Sequence, residues 1–302
     1  MRWTTRRTKF ALVSLTVSLL SALVMADSRR VEELAPQATS AAAGVDLAGV
    51  LSSPFAVDYF ELKRLRNRLV RWVSQFVLGI KLKQVDKVWL LAVEGDSTLV
   101  LLEGDFKTRR VARRWRRLPQ LEEMEAAGVV QISKYINEDE EISTGVEQKT
   151  YLAAVMDENW LAAGDEAAVL RLLDVWNNEA PALEAGVLAP VLGGSENLRA
   201  TLLDVTRWQD PDSWLANTLT GADLDAHFTD HLDLSLRLRI TDEQAAAGVE
   251  HVLKGLLLLS AAHPRVTKNP GLAAAVEGAR VVNTGDAVSV DLHIDGSALD
   301  NP

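Results

Sequence analysis

The chain has 302 residues, 48% hydrophobic and 25% charged, the balance of an ordinary globular protein with room for one large or two small domains. Its formal net charge is −10, and it contains no cysteine. The missing thiols exclude a disulfide framework, cysteine-ligated zinc or iron–sulfur centres, and lipid attachment through a cysteine.

Arg2, Arg6, Arg7 and Lys9 form a basic lead, and Phe10 to Met25 carries no charge. Val24-Met25-Ala26 then sets small or slender residues before Asp27, completing the three-part layout of a secretory signal. Phe10 to Ala26 also reaches the lower length limit of a spanning helix, so residues 1–26 are expected to be a signal peptide or a membrane anchor. No later run is long and apolar enough to span a bilayer as a helix; Val252 to Ala262 is about half of the ~20 residues required. The expected location is extracytoplasmic, periplasmic or secreted, or held at an inner membrane by residues 10–26. Export without disulfides fits a bacterial envelope.

Residues 27–55 are rich in Ala, Ser, Gly and Pro without periodicity and are expected to be a linker. Leu62, Leu65, Leu69, Trp72, Val73 and Phe76 predict an amphipathic helix over about 57–77. Val88–Val93 and Leu99–Leu102 flank Gly95-Asp96-Ser97 and predict a β-hairpin, apolar on both faces and so covered on both sides. A helix follows Asp105-Phe106 and stops before Pro119. Further apolar segments lie at 129–136, 148–157 and 159–163, and Asp165 to Trp176 is helical.

In the remainder, Leu198 to Val205 predicts a strand. Residues 223–240 alternate almost strictly, with Asp230 the one break in the apolar set, and predict one long strand with a buried and a wet face. Thr241 and Gln244 form a capping box for a helix to about 261. Gly278–Val282 and Ala287–Ile294 form a hairpin around Asn283-Thr284-Gly285-Asp286. The rhythm predicts an α+β protein: antiparallel sheets with helices packed on one face, a duplicated ββαββ unit, and an N-terminal signal or anchor helix. The expected division is 1–26, the linker 27–55, a first half 56–180 and a second half 181–302.

Charge is unevenly spread. Residues 27–118 carry 17 Lys and Arg against 11 Asp and Glu, a net of +6, whereas residues 119–302 carry 11 against 31, a net of −20. The positive charge concentrates on one helix: Lys107, Arg109, Arg110, Arg113, Arg114, Arg116 and Arg117, with a thin apolar stripe of Val111, Trp115 and Leu118. Such a helix attracts anions. It is read as a solvated face or one that pairs with the acidic half of the chain, as a contact for anionic lipid headgroups, or as a contact for an acidic protein or polyanion. Nucleic acid is not expected: the pI is about 5.1 and no aromatic residues interleave the arginines.

The segment Asp223 to Asp233 is rich in carboxylates and imidazoles, the ligands of zinc or manganese. On one strand His227 and His231 would stand about 13 Å apart, too far to share an ion. Pairing with 287–294 would set Asp291 and His293 beside His231 and Asp233, a candidate metal or acid–base site against the plainer reading of a wet sheet face. Trp208 and Trp214 flank a turn-rich loop and are a candidate recognition edge. No nucleophile elbow, phosphate loop, dinucleotide fingerprint or His-Glu-x-x-His occurs, so no cofactor is expected. The sequence is read as a non-enzymatic exported envelope protein that binds a partner or an anionic membrane surface. The alternative is a metal-dependent or acid–base hydrolase using His231, Asp233, Asp291 and His293.

Overall fold

A computed structural model describes residues 30–55, 80, 84–93, 97–115, 121–123, 129–132, 151–184, 186–192, 197–204 and 217–296. The leader, the 57–77 helix, Arg116, Arg117 and the Trp208/Trp214 loop lie outside these residues. The described residues form an α+β structure on a twelve-stranded antiparallel sheet. Its strands are β1 (Ala41–Asp46), β2 (Val85–Val93), β3 (Ser97–Gly104), β4 (Leu121–Glu123), β5 (Val129–Ile132), β6 (Tyr151–Val155), β7 (Trp160–Asp165), β8 (Leu198–Leu202), β9 (Leu219–Phe228), β10 (His231–Ile240), β11 (Arg280–Asn283) and β12 (Ala287–Asp295). Across the sheet they run β11-β12-β10-β9-β8-β1-β2-β3-β7-β6-β5-β4.

The linker expectation for 27–55 is corrected. Ala41–Asp46 is a central strand, pairing with β2 on one side and β8 on the other. Its glycine is a packing requirement: a Cβ on Gly44 would come within 2.4 Å of the Trp89 ring. A strand of alanine and glycine has neither β-propensity nor alternation to reveal it. The helix Leu47–Ser52 follows directly, capped by Asp46, whose carboxylate accepts from the Gly49 N–H at 2.9 Å.

Helices do not keep to one face. On one side of β2, β3 and β7, Leu91, Leu99, Leu101 and Trp160 meet Leu34, Val169 and Leu172 from helices Val31–Leu34 and Glu166–Trp176. On the other side Val88, Val100, Leu102 and Leu161 meet Leu47, Val111 and Trp115. Strands apolar on both faces need cover on both. In the second half, Ala246 and Val249 of helix Glu243–Ala261 pack with Ile240 and Val288 on the side shared with Val111 and Trp115. The cap of that helix is Asp242, accepting from the Ala245 N–H at 2.8 Å, and not the predicted Thr241.

Within the sheet, β2-β3-β7-β6 and β9-β10-β12-β11 are matching strand orders. In each set a helix follows the second strand: Thr108–Trp115 after β3 and Glu243–Ala261 after β10.

Candidate functional site

Two surfaces hold the predicted site residues. The first is helix Thr108–Trp115. Val111 and Trp115, four residues apart, point into the core, at 9% and 1% exposure. That orientation turns Lys107, Arg109, Arg110 and Arg113 outward, and all four are exposed. Among the described residues none of these four forms an ion pair or a side-chain hydrogen bond with the acidic half. Arg114 belongs to the same helix.

The second surface is the odd-numbered face of β9, β10 and β12. The predicted single strand 223–240 is two strands joined by a tight turn at Thr229-Asp230. The register sets Phe228 opposite Leu232 and His227 opposite Asp233. Residue numbers of paired positions therefore share parity, and the alternation passes through the turn unbroken. Period two is blind to such a hairpin. An 18-residue strand would nonetheless have been long for a globular protein, where about 10 is the usual limit, and Asp230 breaks the apolar set where the chain reverses.

The turn removes the 13 Å separation of His227 and His231, which now lie on adjacent strands. Pairing of β10 with β12 then places His293 opposite Asp233, Asp291 opposite Ser235 and Asp295 opposite His231. Three of the four predicted residues converge. Asp233 Oδ1 lies 2.6 Å from His293 Nδ1, Asp233 Oδ2 lies 3.0 Å from His231 Nε2, and the two imidazole centroids are 4.8 Å apart. Asp291 is not among them, because it accepts a 2.7 Å hydrogen bond from Ser235 Oγ. The residue missed by sequence reasoning is Asp230, whose Oδ1 lies 2.6 Å from His231 Nδ1.

The electrostatics follow from these contacts. Hydrogen bonds from His231 and Thr229 hold the Asp230 carboxyl below its ordinary range. Burial pulls His231 down, but the Asp230 and Asp233 carboxylates outweigh it and raise the imidazole overall. Partial burial opposes ionisation of Asp233, yet His293 and His231 together keep it below the usual carboxylate value. Thr229 Oγ1 sits 3.1 Å from His231 Nδ1 and 3.3 Å from Nε2. It therefore approaches the ring side-on and is not aligned with one nitrogen as an activated nucleophile would be.

A groove of about 720 Å³ runs along this face, lined by Asp225, His227, Asp233, Arg280, Asp291 and His293. Further along, Arg199 meets Asp225 at 3.1 Å, and Thr201 donates to Asp223 at 2.6 Å beside Arg239. Those pairs brace β8, β9 and β10 and leave the histidine end as the chemically distinct part of the face.

No protein-family model matches the chain, and no curated protein matches it by sequence. Solved structures do resemble it. Crystal form III of TP0453 aligns at a TM-score of 0.52 and 10% identity, over 90% of this chain and 96% of that one. Crystal form I of TP0453 aligns at 0.50 and 10% identity, with the same coverage of 90% and 96%. The likeness is one of fold: a mixed α+β architecture on an antiparallel sheet.

Proposed function

We propose that the chain is an exported, non-enzymatic envelope protein whose arginine helix binds an anionic lipid surface. The observation carrying this reading is the exposed set Lys107, Arg109, Arg110 and Arg113, unpaired among the described residues although the chain carries a net charge of −10. Each basic residue near an anionic surface contributes about 1 kcal/mol. Lipid is favoured over an acidic protein by helix Glu243–Ala261, on the same side of the sheet, where Leu256, Leu258 and Leu259 are 53%, 74% and 72% exposed. Exposed leucines and exposed arginines on one side of the same sheet suit a surface that is charged outside and apolar beneath. Among the described residues no helix is long and apolar enough to cross a membrane.

Sedimentation with phosphatidylglycerol vesicles tests the reading. Arg109→Glu, Arg110→Glu and Arg113→Glu combined are expected to weaken binding at low salt by roughly 100-fold, about three lysine- or arginine-sized contributions. Unchanged sedimentation refutes lipid binding through this helix, and an altered pull-down profile with unchanged sedimentation favours an acidic protein partner.

The finer architecture belongs to the same proposal. Residues 1–26 act as signal peptide or anchor, and the matching strand orders β2-β3-β7-β6 and β9-β10-β12-β11 support a duplicated ββαββ unit. Deleting residues 1–26 is expected to leave the protein in the cytosol, read by fractionation; export of the truncated chain would overturn this. The hydrolase alternative draws on the convergence of His231, Asp233 and His293, but Asp291 stands apart and Thr229 is poorly aligned. It ranks below the binding reading for that reason.

A further inference from the structure

His231 presents both ring nitrogens to carboxylates: Nδ1 to Asp230 at 2.6 Å and Nε2 to Asp233 at 3.0 Å. A neutral imidazole has one N–H and one lone pair. The second contact therefore needs a positive charge, either a second proton on the ring or a cation bound by Nε2. On the far side of Asp233, His293 Nδ1 completes the set, and one nitrogen or oxygen from each of His231, Asp233 and His293 lies within 4.8 Å of the others. Two imidazoles gathered about one carboxylate in this way match the donor set of a transition-metal ligand cluster.

We propose that His231, Asp233 and His293 form a surface site for a borderline first-row divalent cation of the Zn²⁺ class. Asp230 is the positioning residue that holds His231 through Nδ1 and leaves Nε2 turned to Asp233.

The ligand chemistry selects the class. Two imidazoles and one carboxylate suit Zn²⁺, Cu²⁺, Ni²⁺ or Fe²⁺, whereas Ca²⁺ and Mg²⁺ need cages of oxygen. At metal–ligand distances of about 2.0–2.2 Å, tetrahedral ligands stand roughly 3.3–3.5 Å apart. The two histidines meet different oxygens of Asp233, at 2.6 and 3.0 Å, and the candidate ligand atoms spread over up to 4.8 Å, so the side chains must turn to bring one oxygen and both nitrogens to that spacing. The side chains have room to do so, because Asp233 and His293 are exposed and His231 is half-buried. Three protein ligands leave a fourth position for water.

The scaffold is fixed beneath the site. Asp233 and His293 are cross-strand partners in a regular ladder. The Thr229 carbonyl accepts from Phe55 N at 3.0 Å and Ser53 Oγ at 2.7 Å, and the Asp230 carbonyl accepts from Gly296 N at 3.2 Å. A Cβ at position 296 would fall 2.3 Å from the Asp230 carbonyl oxygen, so glycine lets β12 close on the turn. The Asp230–His231 contact supplies the outer carboxylate that metal-bound histidines usually have. This inference depends neither on the arginine helix nor on any hydrolytic activity.

The test uses the full chain, stripped with chelator, and titrates Zn²⁺ calorimetrically and Co²⁺ by visible absorption. One equivalent of Zn²⁺ is expected to bind, with a Co²⁺ ligand-field band of low-coordinate type that Ca²⁺ and Mg²⁺ do not displace. His231→Ala and His293→Ala are each expected to weaken binding at least about tenfold, and Asp230→Asn about tenfold with one equivalent retained. His251→Ala and His263→Ala, both remote on the helical side, should leave it unchanged. His293 is exposed, so its variant keeps the fold, checked by circular dichroism. No Zn²⁺ heat and no Co²⁺ band from the wild type overturns the site, as does binding that survives in both His231→Ala and His293→Ala.

Discussion

Trp115→Ala is expected to lower the unfolding free energy by about 3–5 kcal/mol, the usual loss when a buried tryptophan is emptied from a core. Trp115 is 1% exposed and packs with Phe106, Val111, Val100, Leu102 and Leu161. Its helix, Thr108–Trp115 among the described residues, takes its stability from tertiary packing of its apolar side more than from propensity. Arg109 and Arg113, four apart, add a like-charge repulsion of about 0.2–0.5 kcal/mol. Docking through Trp115 and Val111 is therefore what keeps the cationic surface helical and in place. Arg113→Ala, on the exposed side, should stay within about 0.5 kcal/mol of wild type. Urea denaturation of both variants makes the comparison. A Trp115→Ala loss below about 1 kcal/mol would mean that the helix is held by something other than this side chain.

How far the sequence reached depends on which physical signal each element leaves. The β2–β3 and β11–β12 hairpins were legible because apolar runs flank turn residues; Gly285 at φ 91° sits in the second turn as expected. Helix Glu166–Trp176 was legible as an element, but the stripe Val169, Leu170, Leu173 and Trp176 names its core face only in part: Val169 is buried, Leu173 and Trp176 are partly buried, and Leu170 is 40% exposed, while Leu172 and Val175 are buried in its place. β1 left no signal, because Ala41–Gly44 has neither strand propensity nor alternation, and at Gly44 a Cβ would meet the Trp89 ring. Its partner β8 lies more than 150 residues away along the chain, and periodicity names a face but never a distant partner.

The candidate site shows the same division. His231, Asp233 and His293 were legible as a set once β10 and β12 were assumed to pair. Asp291 was included by alternation alone, and it is two positions along the ladder from His293, bonded to Ser235. Asp230 went unread because it sits in a turn that parity conceals. Its position as the single break in the apolar series was the available clue.

Gly164→Val is expected to cost about 3 kcal/mol, the upper end of ordinary overpacking losses. Gly164 lies in β7, opposite Leu99 of β3 and Leu152 of β6, so both flanking strands are fixed by ladders. A Cβ there would stand 2.2 Å from the Thr98 carbonyl oxygen and 3.0 Å from the Leu99 Cα. Those are backbone atoms, and no rotamer change relieves them. Thr98 cannot swing away, because its N–H donates to Asp165 Oδ2 at 2.6 Å. The contact comes from space and not from backbone conformation, since Gly164 is not among the positive-φ glycines. Gly255→Ala is the matched control: it is a helix-interior glycine whose added Cβ meets nothing within 4 Å. That variant should gain about 0.5–1 kcal/mol from the reduced freedom of the unfolded chain. Denaturation midpoints moving in opposite directions for the two glycines would place the constraint in the β3–β7 contact, whereas parallel shifts would show that the strands separate to admit the side chain.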